Sequence, residues 1–389
     1  MHARAGGPPK PRLAHLDNLK ILLVVGVIVA HTAVTYGFDG TWYPESYDEM
    51  AGGLVDALTV VIVIGWLFGL GLFFLIAGRL SGPSLDGKGP RRFARGRLIR
   101  LGAPVLAYTL AVSPALEYFD YRENEGGTGG FWSFFGDQIW HFGPGPTWFL
   151  EALLAFSLGY ALLRGLRAPT RPASQAPLRG RHVAGIVIAI AVGSFAAHLA
   201  FPIGSEQFHL QLGMFPQYLI LFSLGAAAGR RRWLETLTPE LRRRCGIAAA
   251  ATALAMPAIL LAGDFFAGGA AEDRFLGGWH WQAAAASLTE GVLAACVSLW
   301  AIAHFRVHHN QLRRLARRMS PAAYGAFIAH PPVLVGLALA IQPAPVPAEI
   351  KFLCVLAGAV AGSFGLAALA THARPVARII GAAPRPAPI

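Results

Sequence analysis

Ten long apolar runs, separated by shorter polar stretches, dominate the pattern of the chain. They cover residues 16–36, 54–78, 98–116, 147–164, 183–202, 213–229, 245–263, 284–304, 320–341 and 350–370. A run of about 20 apolar residues is long enough to cross the hydrocarbon core of a bilayer as a helix. Transmembrane helices also tolerate the glycines and prolines that several runs contain. The pattern predicts an all-α polytopic membrane protein with about ten transmembrane helices.

The charges between the runs predict the orientation of the chain. If the N-terminus is cytoplasmic, 30 of the 33 lysines and arginines fall on the cytoplasmic side, and the three exceptions are Arg122, Arg274 and Lys351. Because cytoplasmic loops are enriched in lysine and arginine, both termini are predicted to be cytoplasmic. The chain then divides into a cytoplasmic N-terminal segment, a transmembrane domain and a Pro-rich cytoplasmic tail. These comprise residues 1–15, 16–370 and 371–389.

Composition agrees with a membrane protein and excludes other classes. Hydrophobic residues make up 54% of the chain and charged residues only 14%, which is far from the composition of soluble domains. The net charge of +12 resides between the apolar runs, and no basic patch interleaved with aromatic residues indicates a nucleic-acid partner. The three cysteines are scattered, so neither a disulfide framework nor a metal site is expected.

The first apolar run carries ionisable groups inside a predicted membrane span, where their burial costs free energy. Lys20 and His31 are 11 residues apart, which places them within about 20° of the same helix face and about 16 Å apart along the axis. Intramembrane ionisable residues usually face the protein interior and mark functional sites, so both are expected to line one groove. The alternative is that Asp17 and Lys20 form an ion pair at the interface and that His31 is a core imidazole.

Two carboxylates are predicted at the depth of that histidine. From the predicted topology, His31 lies about 8 Å below the outer membrane surface, Glu290 about 9 Å and Glu151 about 6 Å. A neutral imidazole beside a carboxylate is a suitable general base, because the carboxylate fixes the tautomer and stabilises the imidazolium. The alternatives are that Glu151 is an interfacial acid beside Trp148 and that Glu290 hydrogen-bonds a neighbouring helix.

Three other histidines lie in the apolar runs. His330 is near the middle of the ninth run and precedes Pro331 and Pro332, which release backbone carbonyls and usually kink a helix. Such a kink can open a cavity. His198 and His304 are closer to helix ends and are expected at the interface.

A basic stretch precedes the third run and includes Arg92, Arg97 and Arg100. Arg97 and Arg100 lie inside or beside the apolar segment, where guanidinium groups would suit a phosphorylated ligand. The alternative is that the stretch only sets topology and attracts anionic lipids. No Walker or dinucleotide-binding glycine motif accompanies it, so a nucleotide-binding fold is not indicated.

In these residues the chain resembles the acyltransferase 3 family of integral membrane enzymes, in particular its branch similar to periplasmic glucan succinyltransferases. The resemblance runs from Leu16 to about residue 370. It rests on LDNLKILLVVGVIVAH, FFLIAGRLSGPSLDGKGPRRFARGRLIRLGAPVL and GPTWFLEALLAF, and on the pair WQAAAASLTE and SPAAYGAFIAHPPVLV. The second of these stretches is the most specific, since it matches in both apolar and basic positions.

The resemblance implies an acyl-CoA-dependent enzyme that acylates a hydroxyl of a carbohydrate or lipid-linked acceptor at the extracytoplasmic side of the cell membrane. It implies a catalytic His31, supported by Glu290 or Glu151. Lys20 stands where the family usually has arginine, and it lacks the bidentate fork of a guanidinium. The implied acyl-CoA contacts are Lys20, Arg92, Arg97 and Arg100, and Trp148, Tyr324 and His330 are expected to bind substrate.

The donor is expected to be acetyl-CoA or succinyl-CoA, used as a co-substrate without a metal. Glucan, polysaccharide, lipid-linked sugar and secreted small molecule all remain open as acceptors. A rival hypothesis from another class is a transporter or flippase that moves a polar lipid or glycan along the same buried groups. The missing internal repeat disfavours that hypothesis weakly. A third possibility, a catalytically inactive partner subunit, is disfavoured by the presence of His31, Arg97 and Arg100.

Overall fold

The structure is a computed structural model, and it describes residues 13–37, 50–123, 126–166, 177–231, 233–235, 237–373, 376–377 and 379. Most of the predicted N-terminal segment and most of the predicted Pro-rich tail lie outside these residues. The described part of the chain is helical and contains no β-strand. The prediction of an all-α polytopic membrane protein is therefore confirmed.

Ten helices are long and apolar enough to cross a membrane within the described residues. In chain order they are α1 (Ala14–Thr35), α2 (Gly52–Lys88), α3 (Pro90–Arg122), α4 (Gly145–Leu166), α5 (Gly180–His198), α6 (Leu212–Arg230), α7 (Pro239–Ala262), α8 (Trp281–His308), α9 (Ala323–Ile341) and α10 (Ala348–Ala370). Each of the ten predicted apolar runs corresponds to one of them.

The end of α2 and the start of α3 differ most from the sequence pattern. Helix α2 continues about ten residues beyond its apolar run, to Lys88, and α3 begins at Pro90 instead of residue 98. The polar end of α2 is held by ion pairs, because Asp86 lies 3.1 Å from Arg164 and 4.0 Å from Arg230. The start of α3 buries Phe93 against Leu85 and Ala161. Tertiary contacts thus extend both helices past the limits that hydropathy predicts.

The ends of the spans form two opposite faces. On one face, the Asn18 amide near the start of α1 donates to the backbone oxygen of His309, just after α8, at 2.7 Å. The Arg164–Asp86 ion pair joins the ends of α4 and α2 on the same face. We call it the basic face, because Arg79, Arg97, Arg164, Arg230 and Arg306 lie along it. On the opposite face, the backbone N–H of Ala51 donates to Glu349 at the start of α10.

Helix α1 packs against α2, α8, α9 and α10. Its Val24 and Ile28 belong to a core shared with α4, α6 and α9. Leu16 and Leu19, nearer the basic face, belong to a second core that α5, α7 and α8 complete. Because α1 contributes to both cores, it holds the two halves of the bundle together and carries His31 into the larger core.

Among the glycines of the described residues, those between α2 and α6 lie closest to the backbone of another part of the chain. A Cβ at Gly78 would lie 2.1 Å from the backbone oxygen of Phe222, and a Cβ at Gly225 would lie 2.1 Å from that of Leu75. Small residues at helix interfaces allow such approach inside membranes, where packing rather than the hydrophobic effect drives helix association. The separation of α2 and α6 therefore depends on having no side chain at either glycine.

This contact predicts that Gly78→Ala lowers the free energy of unfolding by about 1–3 kcal/mol, since the helices must separate to admit the methyl group. The matched control is Gly69→Ala on the same helix, where nothing lies within 4 Å of the added Cβ. The control should be neutral or slightly stabilising. Thermal denaturation of the purified protein in detergent measures both. Equal denaturation temperatures for the two variants would contradict the proposed close contact.

Candidate active site

Two histidines from distant parts of the chain meet at the centre of the bundle. The Nδ1 atom of His31 on α1 lies 2.8 Å from the Nε2 atom of His330 on α9, at hydrogen-bonding distance. The ring centroids are 4.9 Å apart and the planes differ by 5°. Because the two nitrogens are close while the ring centres are far apart, the parallel rings lie edge to edge and not face to face. A ring N–H of one histidine therefore points at the ring lone pair of the other, which is the preferred direction of a hydrogen bond.

The two histidines differ in accessibility. The side chain of His330 is fully buried, at 0% exposure, whereas His31 is partly exposed. His330 also packs against Phe327, whose ring contacts Phe149 on α4. His31 is therefore the more accessible of the two rings, while His330 lies behind it beside aromatic side chains.

A proline gives His330 its second partner. In an α-helix the carbonyl of Phe327 would accept the backbone N–H of residue 331, but that residue is Pro331 and has none. The released carbonyl lies 2.5 Å from Nδ1 of His330. Buried backbone oxygens in a membrane protein must find donors within the protein, so this contact satisfies the carbonyl and fixes the imidazole at once.

Arg97 occupies a polar position on the basic face. Its guanidinium donates to the hydroxyl of Ser81 on α2 at 2.8 Å and lies over the ring of Phe93, 5.0 Å from its centroid. Both described partners of Arg97 are neutral. The guanidinium is partly exposed, so its positive charge is available to an anionic ligand that arrives from this face.

Arg100 and Tyr324 are joined where α3 departs from regular geometry. Residues Leu98–Gly102 form a π-helical turn, and such turns often occur at functional sites. The α-helical donor to the Arg100 carbonyl would be the N–H of residue 104, which is Pro104 and has none. The hydroxyl of Tyr324 on α9 donates to this carbonyl at 2.6 Å. Tyr324 thereby ties the start of α9 to the arginine-bearing turn of α3.

Lys20 and Arg92 are placed differently from these residues. Lys20 forms an ion pair with Asp17 at 2.7 Å, and both side chains are partly exposed. This is the i,i+3 pair that the sequence offered as the alternative to a ligand contact. Arg92 is exposed on the helical turn that begins α3. Their predicted roles toward acyl-CoA stay predictions.

Glu290 makes its described polar contacts with α5. Its Oε1 accepts a hydrogen bond from Ser194 at 2.8 Å, and its Oε2 lies 3.9 Å from Nε2 of His198. His198 is itself close to Ser287, at 3.3 Å. The carboxylate is fully buried. The structure thus groups Glu290 with His198, while the hydrogen bond of His31 described above is with His330.

His198 is buried, which was not predicted from the sequence. It ends α5, as predicted, but its side chain is only 1% exposed, so it packs inside the protein. Its position at the membrane interface stays a prediction. A signal was present in the sequence, because Ser194 and His198 are four residues apart on one face of an otherwise apolar helix. Four-residue spacing of polar groups in a span indicates a shared partner, which is here the carboxylate of Glu290.

Glu151 and Trp148 lie at the start of α4, on the face opposite to the arginines. Both are partly buried. The Trp148 ring lies 6.4 Å from that of Tyr218 on α6. The predicted roles of Glu151 and Trp148 are not tested by these contacts.

The fold and the site define a polytopic membrane protein that holds a histidine pair in its core, with arginines toward one face. Residues 13–371 match the acyltransferase 3 family, which is described as an acyltransferase domain. The match covers most of the chain, so the chain belongs to this family and is a membrane acyltransferase. No curated protein and no solved structure matches it.

The contact between Tyr324 and Arg100 predicts a measurable stability difference. Tyr324→Phe removes the hydroxyl that donates to the Arg100 carbonyl and should lower the free energy of unfolding by about 0.5–1.5 kcal/mol, the usual net contribution of one hydrogen bond. The matched control is Tyr218→Phe, because the buried Tyr218 hydroxyl has no hydrogen-bond partner among the described residues. The control should be neutral or stabilising. Thermal denaturation in detergent compares the two, and a greater loss for Tyr218→Phe would contradict the assignment.

Proposed function

We propose that the protein transfers an acyl group from acyl-CoA, bound at the basic face, to a hydroxyl of a carbohydrate or lipid-linked acceptor that enters from the opposite face. His31 is the general base of this reaction. The observation that carries the proposal is the partly exposed His31, held against the buried His330 in the core of an acyltransferase domain. The alternative of a transporter has no comparable observation in its favour.

The donor end of the proposed site is the group formed by Arg97, Arg100 and Tyr324. Guanidinium groups bind phosphate through paired N–H donors, and acyl-CoA carries phosphates at the end remote from its thioester. Arg97 keeps neutral partners, which supports a role toward an external anion. The loop charges that set topology support a basic face on the cytoplasmic side, where acyl-CoA is made. The protein would then lie in the cell (inner or plasma) membrane.

The distances along the helices suit an extended donor. Tyr324 and His330 are six residues apart on α9, which corresponds to about 9 Å along the axis, and Lys20 and His31 are about 16 Å apart on α1. A pantetheine arm that starts among the arginines would therefore run along α1 and α9 toward His31. A compact ligand would not reach from one group to the other.

The proposed reaction moves one proton at His31. The imidazole takes the proton of the acceptor hydroxyl as the oxygen attacks the thioester carbonyl. The carbon–sulfur bond then breaks, and the departing thiolate takes the proton back from the imidazolium. The products are an O-acyl ester and free CoA, and no metal takes part. Acetyl and succinyl donors, and glycan or lipid-linked acceptors of the cell envelope, all fit this scheme.

Replacement of the base tests the proposal directly. His31→Ala should lower the rate of acyl transfer by about 10²–10⁴-fold, the usual contribution of a general base. The matched control is His280→Ala, an exposed histidine before α8, which should keep its activity. Transfer of label from acyl-CoA to an added extract of envelope glycans and lipids, which supplies the acceptor, measures both purified proteins. Normal turnover by folded His31→Ala protein would remove His31 from the chemistry, and absence of transfer by the natural sequence would count against the proposed reaction.

The donor site is tested by the Michaelis constant for acyl-CoA. Arg97→Ala should raise this constant by about tenfold or more, because it removes a charge-assisted contact to a phosphate. Arg97→Lys should recover part of the loss, since it restores the charge without the fork. Arg243→Ala is the control, as Arg243 is exposed and already paired with Glu240. An unchanged constant for Arg97→Ala would place the phosphates elsewhere.

A further inference from the structure

We infer that His330 is a positioning residue that fixes the tautomer of His31, and that the carbonyl released by Pro331 is the fixed point of this arrangement. Both imidazoles carry their proton on Nδ1, so the basic lone pair of His31 lies on Nε2. The catalytic consequence rests on the proposed function. The assignment of the two protons rests only on the contacts of the two rings.

The carbonyl of Phe327 determines which nitrogen of His330 carries a proton. A carbonyl oxygen can only accept hydrogen bonds. Since Nδ1 of His330 lies 2.5 Å from this oxygen, that nitrogen must carry a proton. The helix cannot supply a competing donor from residue 331, because Pro331 has no N–H. A buried backbone oxygen left without a donor in a membrane would be costly, so the structure strongly selects this tautomer of His330.

The proton of His330 in turn determines where His31 carries its own, because a neutral imidazole has only one N–H. With its single N–H used at Nδ1, His330 presents a lone pair at Nε2. That nitrogen lies 2.8 Å from Nδ1 of His31, so Nδ1 of His31 is the donor. The lone pair of neutral His31 then lies at Nε2, on the far side of the ring from His330. This is the atom that takes the acceptor proton in the proposed reaction.

The two rings have different roles, since His31 takes the proton and His330 orients His31. His330 is fully buried and has partners at both nitrogens, so it acts on the reaction only through His31. When His31 gains a proton at Nε2, its Nδ1–H becomes a stronger donor, and the His330 lone pair already faces it. In a Ser-His-Asp triad a carboxylate performs this orienting and stabilising task. Here a neutral imidazole, held by a backbone carbonyl, performs it.

The assignment is tested by nitrogen NMR of the full-length protein, labelled with ¹⁵N-histidine and reconstituted in lipid bilayers. His31→Ala and His330→Gln spectra identify the two residues. The expected result is a protonated Nδ1 and an unprotonated Nε2 for both histidines, opposite to the tautomer that histidine favours in water. A protonated Nε2 on either residue at neutral charge would overturn the inference. This readout does not require turnover.

Pro331→Ala supplies the sharpest perturbation. The new N–H at residue 331 competes for the Phe327 carbonyl, so the Nδ1 proton signal of His330 should be lost or shifted. The turnover number should fall about tenfold or more, with the Michaelis constant for acyl-CoA unchanged. The matched control is Pro332→Ala, because the carbonyl released by Pro332 belongs to Ile328 and is not the partner of His330. Equal spectra and turnover for the two variants would overturn the inference.

Substitution of His330 itself distinguishes positioning from packing. His330→Gln can still accept from His31 through its oxygen and donate to Phe327 through its amide, so it should keep turnover within about tenfold of the natural sequence. His330→Phe fills the space but offers neither contact, and its turnover should fall by about 10²-fold or more. Equal loss in both variants would show that the tautomer is not what matters.

Failure of the proposed function gives a different pattern. If folded His31→Ala protein still transfers acyl groups, the general-base assignment fails, whereas the NMR result still decides whether the two rings hold the inferred tautomers. If His31→Ala is inactive but the NMR tautomers are reversed, the proposed function stands and the inference about Pro331 and His330 is overturned.

Discussion

The structure depends on one constraint of the bilayer, which is that every backbone polar group must find its partner inside the protein. Prolines within the spans release carbonyls that the helix itself can no longer satisfy. In this chain two such carbonyls are taken by side chains of α9. Phe327 oxygen meets the imidazole of His330, and Arg100 oxygen meets the hydroxyl of Tyr324. These hydrogen bonds fix the positions of His330 and Tyr324, because a hydrogen bond restricts direction as well as distance, which apolar packing does not.

Helix α9 links the two ends of the proposed site, which are the arginines of α3 and the histidine pair. Helix α9 carries Tyr324 at the basic face, beside the arginines of α3, and His330 about two turns further on, beside α1. A donor bound among the arginines therefore has the same helix as its guide to the histidine pair. Helix α1, the other wall of this route, is held in place by contacts with four neighbours, one of which is α9 itself.

The sequence predicts the number and position of the spans well, because a bilayer requires long apolar runs that hydropathy detects directly. It also identifies His31, His330, Arg97, Arg100 and Tyr324 as residues of interest. The partnership of His31 with His330 could not be predicted, since 299 residues separate them and depth alone does not show which helices are neighbours. Depth placed Glu290 level with His31, whereas lateral packing joins Glu290 to Ser194 and His198 on α5.

The contact between α2 and α6 has a consequence for the position of Arg97, the proposed donor contact. Ser81, which holds Arg97, lies one turn beyond Gly78 on α2. The lateral position of this serine is therefore set by how closely α6 approaches, and the approach is set by backbone atoms. A methyl group gained on α6 at Gly225 would shift the arginine without altering any residue that touches a ligand. Substitutions at this helix contact would thus move a proposed site residue, and a comparison of site residues alone would overlook them.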